Sequence, residues 1–135
     1  MKRGEVYDAR LEPVEGSEQG GTRPVIIVSR DAINAYSPVV LAVPCTTYQS
    51  GKRVYPTQVL IQSPDGGLTN DSVAIADQVR VLSKTRFLRL RRMLSDEAMI
   101  LLNQASFVNC VKFARSSLNH LPLSHCRGEK VRCFL

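Results

Sequence analysis

Residues 16–28 read Gly16-Ser17-Glu18-Gln19-Gly20-Gly21-Thr22-Arg23-Pro24-Val25-Ile26-Ile27-Val28, a polar, glycine-rich loop followed by an apolar run. The continuous β-branched run predicts a buried central strand. Paired glycines allow positive φ and close approach of the backbone to a ligand. Pro24 biases Arg23 toward an extended backbone. The stretch therefore presents a guanidinium at the mouth of a buried strand, where it could bind a phosphate or make a surface salt bridge.

Further strands are predicted on both sides of this stretch from alternating or continuous apolar residues bounded by turn signals. In 57–62, Val59 and Ile61 share one face and Leu60 lies on the other. Pro44 should limit ladder pairing at the end of the strand that precedes it. The predicted strands are Glu5–Leu11, Val25–Val28, Val39–Val43, Thr57–Gln62, and the short runs Ser72–Ala76 and Gln78–Leu82, which could form one bent strand.

The last third of the chain changes to helical spacing. A basic helical segment is predicted over 83–92. Ser95 is a suitable N-cap, followed by two acids in the positive first turn, so one long helix should run from Ala98 to about Ala114. Its apolar stripe is broad, which is typical either of a helix buried in the core of its own chain or of one that also contacts a dimer partner. The stripe comprises Ala98, Leu101, Leu102, Ala105 and Val108, widened by Met99, Ile100, Phe107, Val111 and Ala114.

Several strands followed by one helix, joined by short turns, is an α+β, mainly β pattern rather than an alternating βαβ pattern. We predict a strongly curved antiparallel sheet, or a partly open barrel, with a long C-terminal helix packed on it. No internal repeat or linker divides the chain before residue 118, so 1–118 is predicted to be one domain and 119–135 a C-terminal extension.

The charge is concentrated in one segment. The chain of 135 residues has a net charge of +6, and six basic residues with no acid lie between Arg80 and Arg92. Such a cluster indicates an anionic partner, either nucleic acid or an acidic protein, although a solvated surface is equally compatible with charge alone.

Neither a membrane span nor a signal peptide is indicated, because no apolar run approaches ~18 residues and no apolar region follows the charged N-terminus. We therefore expect a cytoplasmic protein. The four cysteines form no CxxC pair and should be reduced. His120, His125, Cys126 and Cys133 could be drawn as a zinc site, but their spacing fits no usual ligand pattern. We predict no metal and no cofactor.

Arg23 and Thr46 stand at the ends of two candidate neighbouring strands. Arg23 precedes the first buried strand and Thr46 follows the second. Antiparallel pairing would place the start of one beside the end of the other. An arginine can stabilise charge on the non-bridging oxygens of a phosphodiester, and a hydroxyl can donate a further hydrogen bond. RNA supplies its own nucleophile in the 2′-OH. Either Glu18 or Asp77 could assist as a base, or the site could act mainly by stabilising charge and straining the substrate.

Four sequence blocks in this order resemble the MazF/PemK family of toxin endoribonucleases. They are Lys2-Arg3-Gly4-Glu5-Val6-Tyr7, the loop from Gly16 to Val25, Val43-Pro44-Cys45-Thr46-Thr47 followed by Tyr55-Pro56, and Asp71 through Arg80. The blocks cover about residues 2–114. The segment after about Ser116 matches nothing in the family.

The resemblance implies an SH3-like, strongly curved sheet and a homodimer. It implies a sequence-specific, metal-independent endoribonuclease of a type II toxin–antitoxin pair that cuts single-stranded RNA, such as mRNA, by 2′-OH attack, leaving 2′,3′-cyclic phosphate and 5′-OH ends. The implied partner is a MazE-like antitoxin. The implied catalytic pair is Arg23 and Thr46, and the implied RNA-binding residues are Glu18, Gln19, Thr47, Asp77, Gln78 and Arg80.

Two other functions are compatible with parts of the sequence. CcdB-like toxins share the fold but bind DNA gyrase and cleave no RNA, and such a surface would not need Arg23 beside Thr46. A metal-bound regulatory RNA- or DNA-binding domain would use the Cys/His segment near the C-terminus.

Overall fold

Seven strands and two helices are present in the computed structural model, which describes residues 1–118, with side chains through Val108. All strand pairs are antiparallel, in the order β4-β5-β3-β2-β1-β7, with β6 also paired to β3. The elements are β1 Glu5–Arg10, β2 Thr22–Ile27, α1 Asp31–Tyr36, β3 Val39–Thr47, β4 Gln58–Ile61, β5 Ser72–Ile75, β6 Arg80–Ser83, β7 Phe87–Met93 and α2 Asp96–Leu118.

The predicted fold class is confirmed: a mainly β antiparallel sheet with one long C-terminal helix. Within residues 1–118, the outer strands β4 and β7 each pair along one side only, so the sheet is open rather than a closed barrel.

Strand β3 is the centre of the sheet, and it is longer than predicted. It continues through Pro44 to Thr47. Ala42 pairs with Ile27 of β2 on one side and with Arg80 of β6 on the other. On that second side the partner changes to β5 from Cys45 onward. The predicted limit on pairing at Pro44 holds on this second side, where the proline lies between the β6 and β5 ladders, a position that tolerates a missing N–H. On the other side Pro44 pairs with Val25 of β2, so the strand continues.

The predicted bent strand is present as β5 and β6, which are separated by a 3-10 turn at Ala76–Gln78. Both pair along the same side of β3. The turn therefore lies beside the part of β3 where the partner changes from β6 to β5, next to the end that carries Thr46.

Two apolar clusters lie on opposite faces of the sheet because side chains alternate along each strand. On the face covered by α2, the buried residues include Val6, Ile26, Val43 and Cys45. The opposite face is filled by a smaller cluster of Ala9, Leu11, Val25, Ala42 and Leu82, with Tyr7 and Phe87 packed against it. Burial on both faces explains why the run after Arg23 is continuously apolar.

The predicted helix over 83–92 was wrong, since Phe87–Met93 forms β7, which pairs with β1. Alternation places Arg89 and Arg91 on the same side of the strand, where both form ion pairs with Asp8 at 3.0 and 2.7 Å. This long-range pairing overrides the local helical spacing of the basic residues.

Helix α2 begins as predicted. The Ser95 hydroxyl accepts a hydrogen bond from the Ala98 amide at 3.3 Å, which is an N-cap. Ala98, Leu102 and Ala105 are buried against the sheet. Leu101, expected in the same stripe, is 50% exposed, because it lies beside the buried stripe over a groove next to β4. Ile100 and Phe107 are also exposed. Val111 and Ala114 lie beyond the described side chains.

Candidate active site

The strand register places Arg23 opposite Thr46. Val25 pairs with Pro44 in the β2–β3 ladder, and continuing that antiparallel register by two residues sets the two side by side. Arg23 shares the parity of Val25, and Thr46 that of Ala42, so both project from the face away from α2. The site is therefore a direct consequence of how the two central strands align.

The Arg23 guanidinium is fixed by two hydrogen bonds. Its Nε donates to the Gly20 carbonyl at 2.7 Å, and its Nη1 donates to Thr46 Oγ1 at 3.2 Å. Both side chains are half-buried. Thr46 Oγ1 accepts in this contact, so its own proton is left to donate elsewhere. The remaining guanidinium N–H groups are available for an anion.

A cavity of about 250 Å³ opens at this pair. Its lining residues are small or hydroxyl-bearing apart from Arg23, and none of them carries a carboxylate. An anion could enter it and meet donors rather than negative charge. The lining residues are Gly20, Gly21, Thr22, Arg23, Pro24, Cys45, Thr46, Thr47 and Ser72.

A second cavity, of about 370 Å³, adjoins the first and shares Thr46 and Thr47 with it. Aromatic, amide and cationic side chains line it. Arg53 lies over the ring of Tyr55, with its guanidinium carbon 5.6 Å from the ring centre. Such a set can stack on an unpaired base and hydrogen-bond its edges. The other lining residues include Gln19, Tyr48, Gln49, Lys52, Gln58, Asp77 and Gln78.

The loop between β1 and β2 lies on the Ala76–Gln78 turn. The backbone N–H of Gln19 donates to Gln78 Oε1 at 3.0 Å, and Gln78 Nε2 donates to the Ser17 carbonyl at 3.4 Å. A third cavity, of about 320 Å³, lies beside this contact and includes Glu18, Asp77 and Arg80 among its lining residues. The three cavities therefore lie next to one another, since each shares lining residues with the next, and together they are called the path.

All eight residues predicted for catalysis or RNA binding line this path. The structure brings Arg23 and Thr46 into contact. It places Asp77 in the cavity that Thr46 borders and Glu18 in the third cavity, away from the pair. Of the two carboxylates considered as a base, Asp77 is thus the one that shares a cavity with Thr46. Their roles remain predictions.

Sequence reasoning missed three contributors to the path: the Gly20 carbonyl, Ser72 and Gln58. Gln58 could have been found, because it lies at the start of the predicted strand Thr57–Gln62, next to the polar loop. Ser72 lines the first cavity because it pairs with Thr47 across β3 and β5, a register that the sequence does not reveal. The carbonyl carries no side-chain signal at all.

Four of the six cations in the basic segment have partners within the protein. Lys84 donates to the Asn34 carbonyl, and Arg86 donates to the Arg10 and Glu12 carbonyls. Arg89 and Arg91 pair with Asp8. Arg80 lines the third cavity. The segment is therefore largely structural, and Arg80 is its member on the candidate site.

Among the side chains that the structure describes, no group of three or more His, Cys, Asp or Glu could hold a metal ion. The alternative zinc ligands, His120, His125, Cys126 and Cys133, lie outside the described residues. No helix in residues 1–118 is both long and apolar enough to span a membrane.

A family model described as the PemK-like, MazF-like toxin of type II toxin–antitoxin system matches residues 2–105. The chain belongs to this family. The resemblance drawn from the four sequence blocks is thus confirmed. The MazF-like match ends before the last turns of α2.

A curated relative and two solved structures match most of the chain. Endoribonuclease MazF from Staphylococcus saprophyticus is 45% identical over 105 residues, which are 78% of this chain and 87% of the relative. An endoribonuclease in complex with its cognate antitoxin from Mycobacterial species is 28% identical, with a TM-score of 0.68, covering 82% of this chain and 95% of that one. MazF from Deinococcus radiodurans shares the fold at 23% identity, with a TM-score of 0.70 over 82% and 96% of the two chains.

Proposed function

We propose that this protein is the toxin of a type II toxin–antitoxin pair and a sequence-specific endoribonuclease that cleaves single-stranded RNA without a metal ion. The observation that carries the proposal is the Arg23–Thr46 contact at the mouth of a cavity free of carboxylates. The name of the Staphylococcus saprophyticus relative, an endoribonuclease, supports the same activity.

The proposed reaction is transfer within the RNA itself. The 2′-oxygen attacks the adjacent phosphorus, the bond from phosphorus to the 5′-oxygen breaks, and the products are a 2′,3′-cyclic phosphate and a 5′-OH. The 2′-hydroxyl loses its proton and the leaving 5′-oxygen gains one. Arg23 stabilises the negative charge that grows on the non-bridging oxygens, and Thr46 donates a further hydrogen bond to them.

The bases on either side of the cut occupy the adjoining cavities. Unpaired bases can be splayed out and recognised on their edges, which suits the amide and hydroxyl groups near Thr47, Gln19 and Gln78. Arg80, at the far end of the path, binds a flanking phosphate. Tyr48, Lys52, Arg53 and Tyr55 contribute to the choice of sequence.

The partners follow from the family. The Mycobacterial relative is seen with its cognate antitoxin, and we propose a MazE-like antitoxin for this protein. We also propose a homodimer, supported by Ile100 and Phe107 on α2, which are each 55% exposed. We assign residues 1–118 to one toxin domain in the cytoplasm, with 119–135 as an extension.

The gyrase-binding alternative is not favoured by the comparisons. A CcdB-like surface also gives no reason for a guanidinium and a hydroxyl to meet in an open cavity. The test below includes it as an outcome.

The deciding experiment incubates the full chain with a long RNA in excess EDTA and sequences the 5′-OH ends. We expect cuts at one short sequence. Arg23→Ala should lower the rate by ~10²–10³, the usual cost of removing one preorganised donor. An intact RNA together with poisoned gyrase would overturn the proposal, and so would an Arg23→Ala variant as fast as the wild type.

A further inference from the structure

The candidate site depends on one peptide group, the link between Gly20 and Gly21. Its carbonyl oxygen accepts the hydrogen bond from Arg23 Nε at 2.7 Å. Its N–H, on Gly21, donates to Glu12 Oε1 at 2.8 Å. Because a peptide group is planar and rigid, the contact on one side fixes the direction of the group on the other. Glu12 thus determines where the carbonyl that orients Arg23 can point.

The two glycines make this peptide easy to rotate, since neither carries a Cβ that would restrict it. Gly21 has φ +72°, and a Cβ on Gly20 would lie 2.7 Å from Glu12 Oε1 and 3.1 Å from Val14. Gly21 therefore uses a backbone conformation that favours glycine, and a side chain at Gly20 would displace the Glu12 carboxylate. The rotational freedom of this peptide must be restrained by another group. The Glu12 carboxylate supplies that restraint.

Arg86 in turn fixes the backbone of Glu12. Its Nη1 donates to the Glu12 carbonyl, and to the Arg10 carbonyl at 3.3 Å. Both acceptors are backbone carbonyls, so the Arg86 guanidinium hydrogen-bonds within the protein rather than to a bound anion. A continuous chain of contacts runs from Arg86 through Glu12 and the Gly20–Gly21 peptide to Arg23 and Thr46.

We propose that Glu12 is a positioning residue for Arg23, and that Arg86 acts through Glu12 rather than on an RNA phosphate. The inference rests on the proposed nuclease function, because the roles it assigns concern RNA cleavage. Glu12 needs only an acceptor oxygen to act in this way, so its negative charge is dispensable.

The first test compares Glu12→Ala with Glu12→Gln. Without the acceptor, the peptide rotates and Arg23 loses its alignment, so Glu12→Ala should lower kcat about tenfold with little change in KM. Glu12→Gln retains an acceptor and should restore kcat. A wild-type kcat in Glu12→Ala, or an equal loss in both variants, would overturn the proposal.

The second test separates positioning from phosphate binding at Arg86. Arg86→Met should lower kcat as Glu12→Ala does, leave the salt dependence of KM unchanged, and add nothing to Glu12→Ala in the double variant. If Arg86 contacted a phosphate, Arg86→Met would instead raise KM and reduce its salt slope by about one. Arg92→Met is the matched control, because this exposed cation has no hydrogen bond or ion pair among the described residues, and its kcat should not change.

A third measurement does not require RNA. Hydrogen exchange at the Gly21 amide should be slow in the wild type and in Glu12→Gln, and faster in Glu12→Ala. Unchanged exchange in Glu12→Ala would overturn the proposal even if the protein cleaved no RNA. Conversely, a wild type that cleaves nothing but shows the expected exchange would refute the nuclease function and leave the role of Glu12 in the loop intact.

Discussion

At the scale of single residues, the candidate site is built from ordinary groups in an uncommon juxtaposition. Arg23 and Thr46 are separated by 22 intervening residues, yet they meet because they occupy opposing positions of one ladder. The guanidinium binds charge and the hydroxyl adds a directed donor. Neither would be notable alone on a protein surface.

The hydroxyl of Thr46 can be tested without changing its shape. Thr46→Val removes only the donor, so we expect the RNA cleavage rate to fall by ~10²–10³. Thr46→Ser keeps the hydroxyl and should retain most of the activity. The measurement is the single-turnover rate on the mapped cleavage sequence. An unchanged rate in Thr46→Val would make Thr46 a purely structural residue.

Cys45, the neighbour of Thr46, predicts a loss of stability at alkaline pH. Burial raises the pKa of its thiol from an ordinary 9.0 to about 12. Between these values the unfolded chain gives up the proton and the folded chain keeps it. The free energy of unfolding should therefore fall by about 1.4 kcal/mol for each unit of pH above 9.

The measurement is urea unfolding at several pH values, with Cys45→Ala as the comparison. The variant lacks the thiol, so its unfolding free energy should decline less steeply between pH 9 and 12. The same slope in both proteins would show that the thiol ionises as easily in the folded state as in the unfolded one.

At the scale of elements, β7 shows how a distant partner determines local structure. The stretch 83–92, which contains most of β7, has basic residues at helical spacing and predicts a helix. The structure instead pairs it with β1, where Asp8 accepts hydrogen bonds from both Arg89 and Arg91. Asp8 thus connects the two strands through its ion pairs as well as through the backbone ladder.

Removing Asp8 should weaken this pairing. Asp8→Ala leaves the half-buried Arg91 guanidinium without its carboxylate, so we expect the free energy of unfolding to fall by about 3 kcal/mol. Arg89→Ala is the matched control, since that side chain is 70% exposed and its pair should contribute less than about 1 kcal/mol. Urea unfolding measures both, and equal losses would contradict the unequal burial of the two arginines.

At the scale of the whole molecule, the sequence predicted the fold class, and which residues come together along the cavities, better than it predicted single elements. Alternation in 57–62 predicted that Val59 and Ile61 share one face and that Leu60 lies on the other, and in the structure Val59 and Ile61 are buried while Leu60 is exposed. The helix over 83–92 was wrong because Arg89 and Arg91 owe their conformation to Asp8, about 80 residues earlier. The Gly20 carbonyl could not be predicted because its position depends on a loop backbone rather than on a side chain.

The assembly of two copies gives the last prediction. If α2 forms the homodimer interface, replacing both Ile100 and Phe107 by Asp should give a monomer in light scattering after gel filtration, with an unchanged circular dichroism spectrum. Both residues are largely exposed in one chain, so folding should be little affected. Leu88→Asp, on the exposed side of β7, is the control, and a monomer from that variant alone would place the interface at the sheet edge instead.

The pairing of β1 with β7 also has a consequence for how the chain folds. It joins residues 78 to 88 positions apart, and the strands that carry Arg23 and Thr46 lie between them in the sequence. Closing so large a loop lowers the entropy of the chain before the contacts between the two strands can stabilise it. Proteins dominated by such distant strand pairings fold in milliseconds to seconds. During synthesis, the outer edge of β1 stays uncovered until β7, which ends at Met93, has been made. The interval gives a partner that binds early the opportunity to meet the toxin before its sheet is complete.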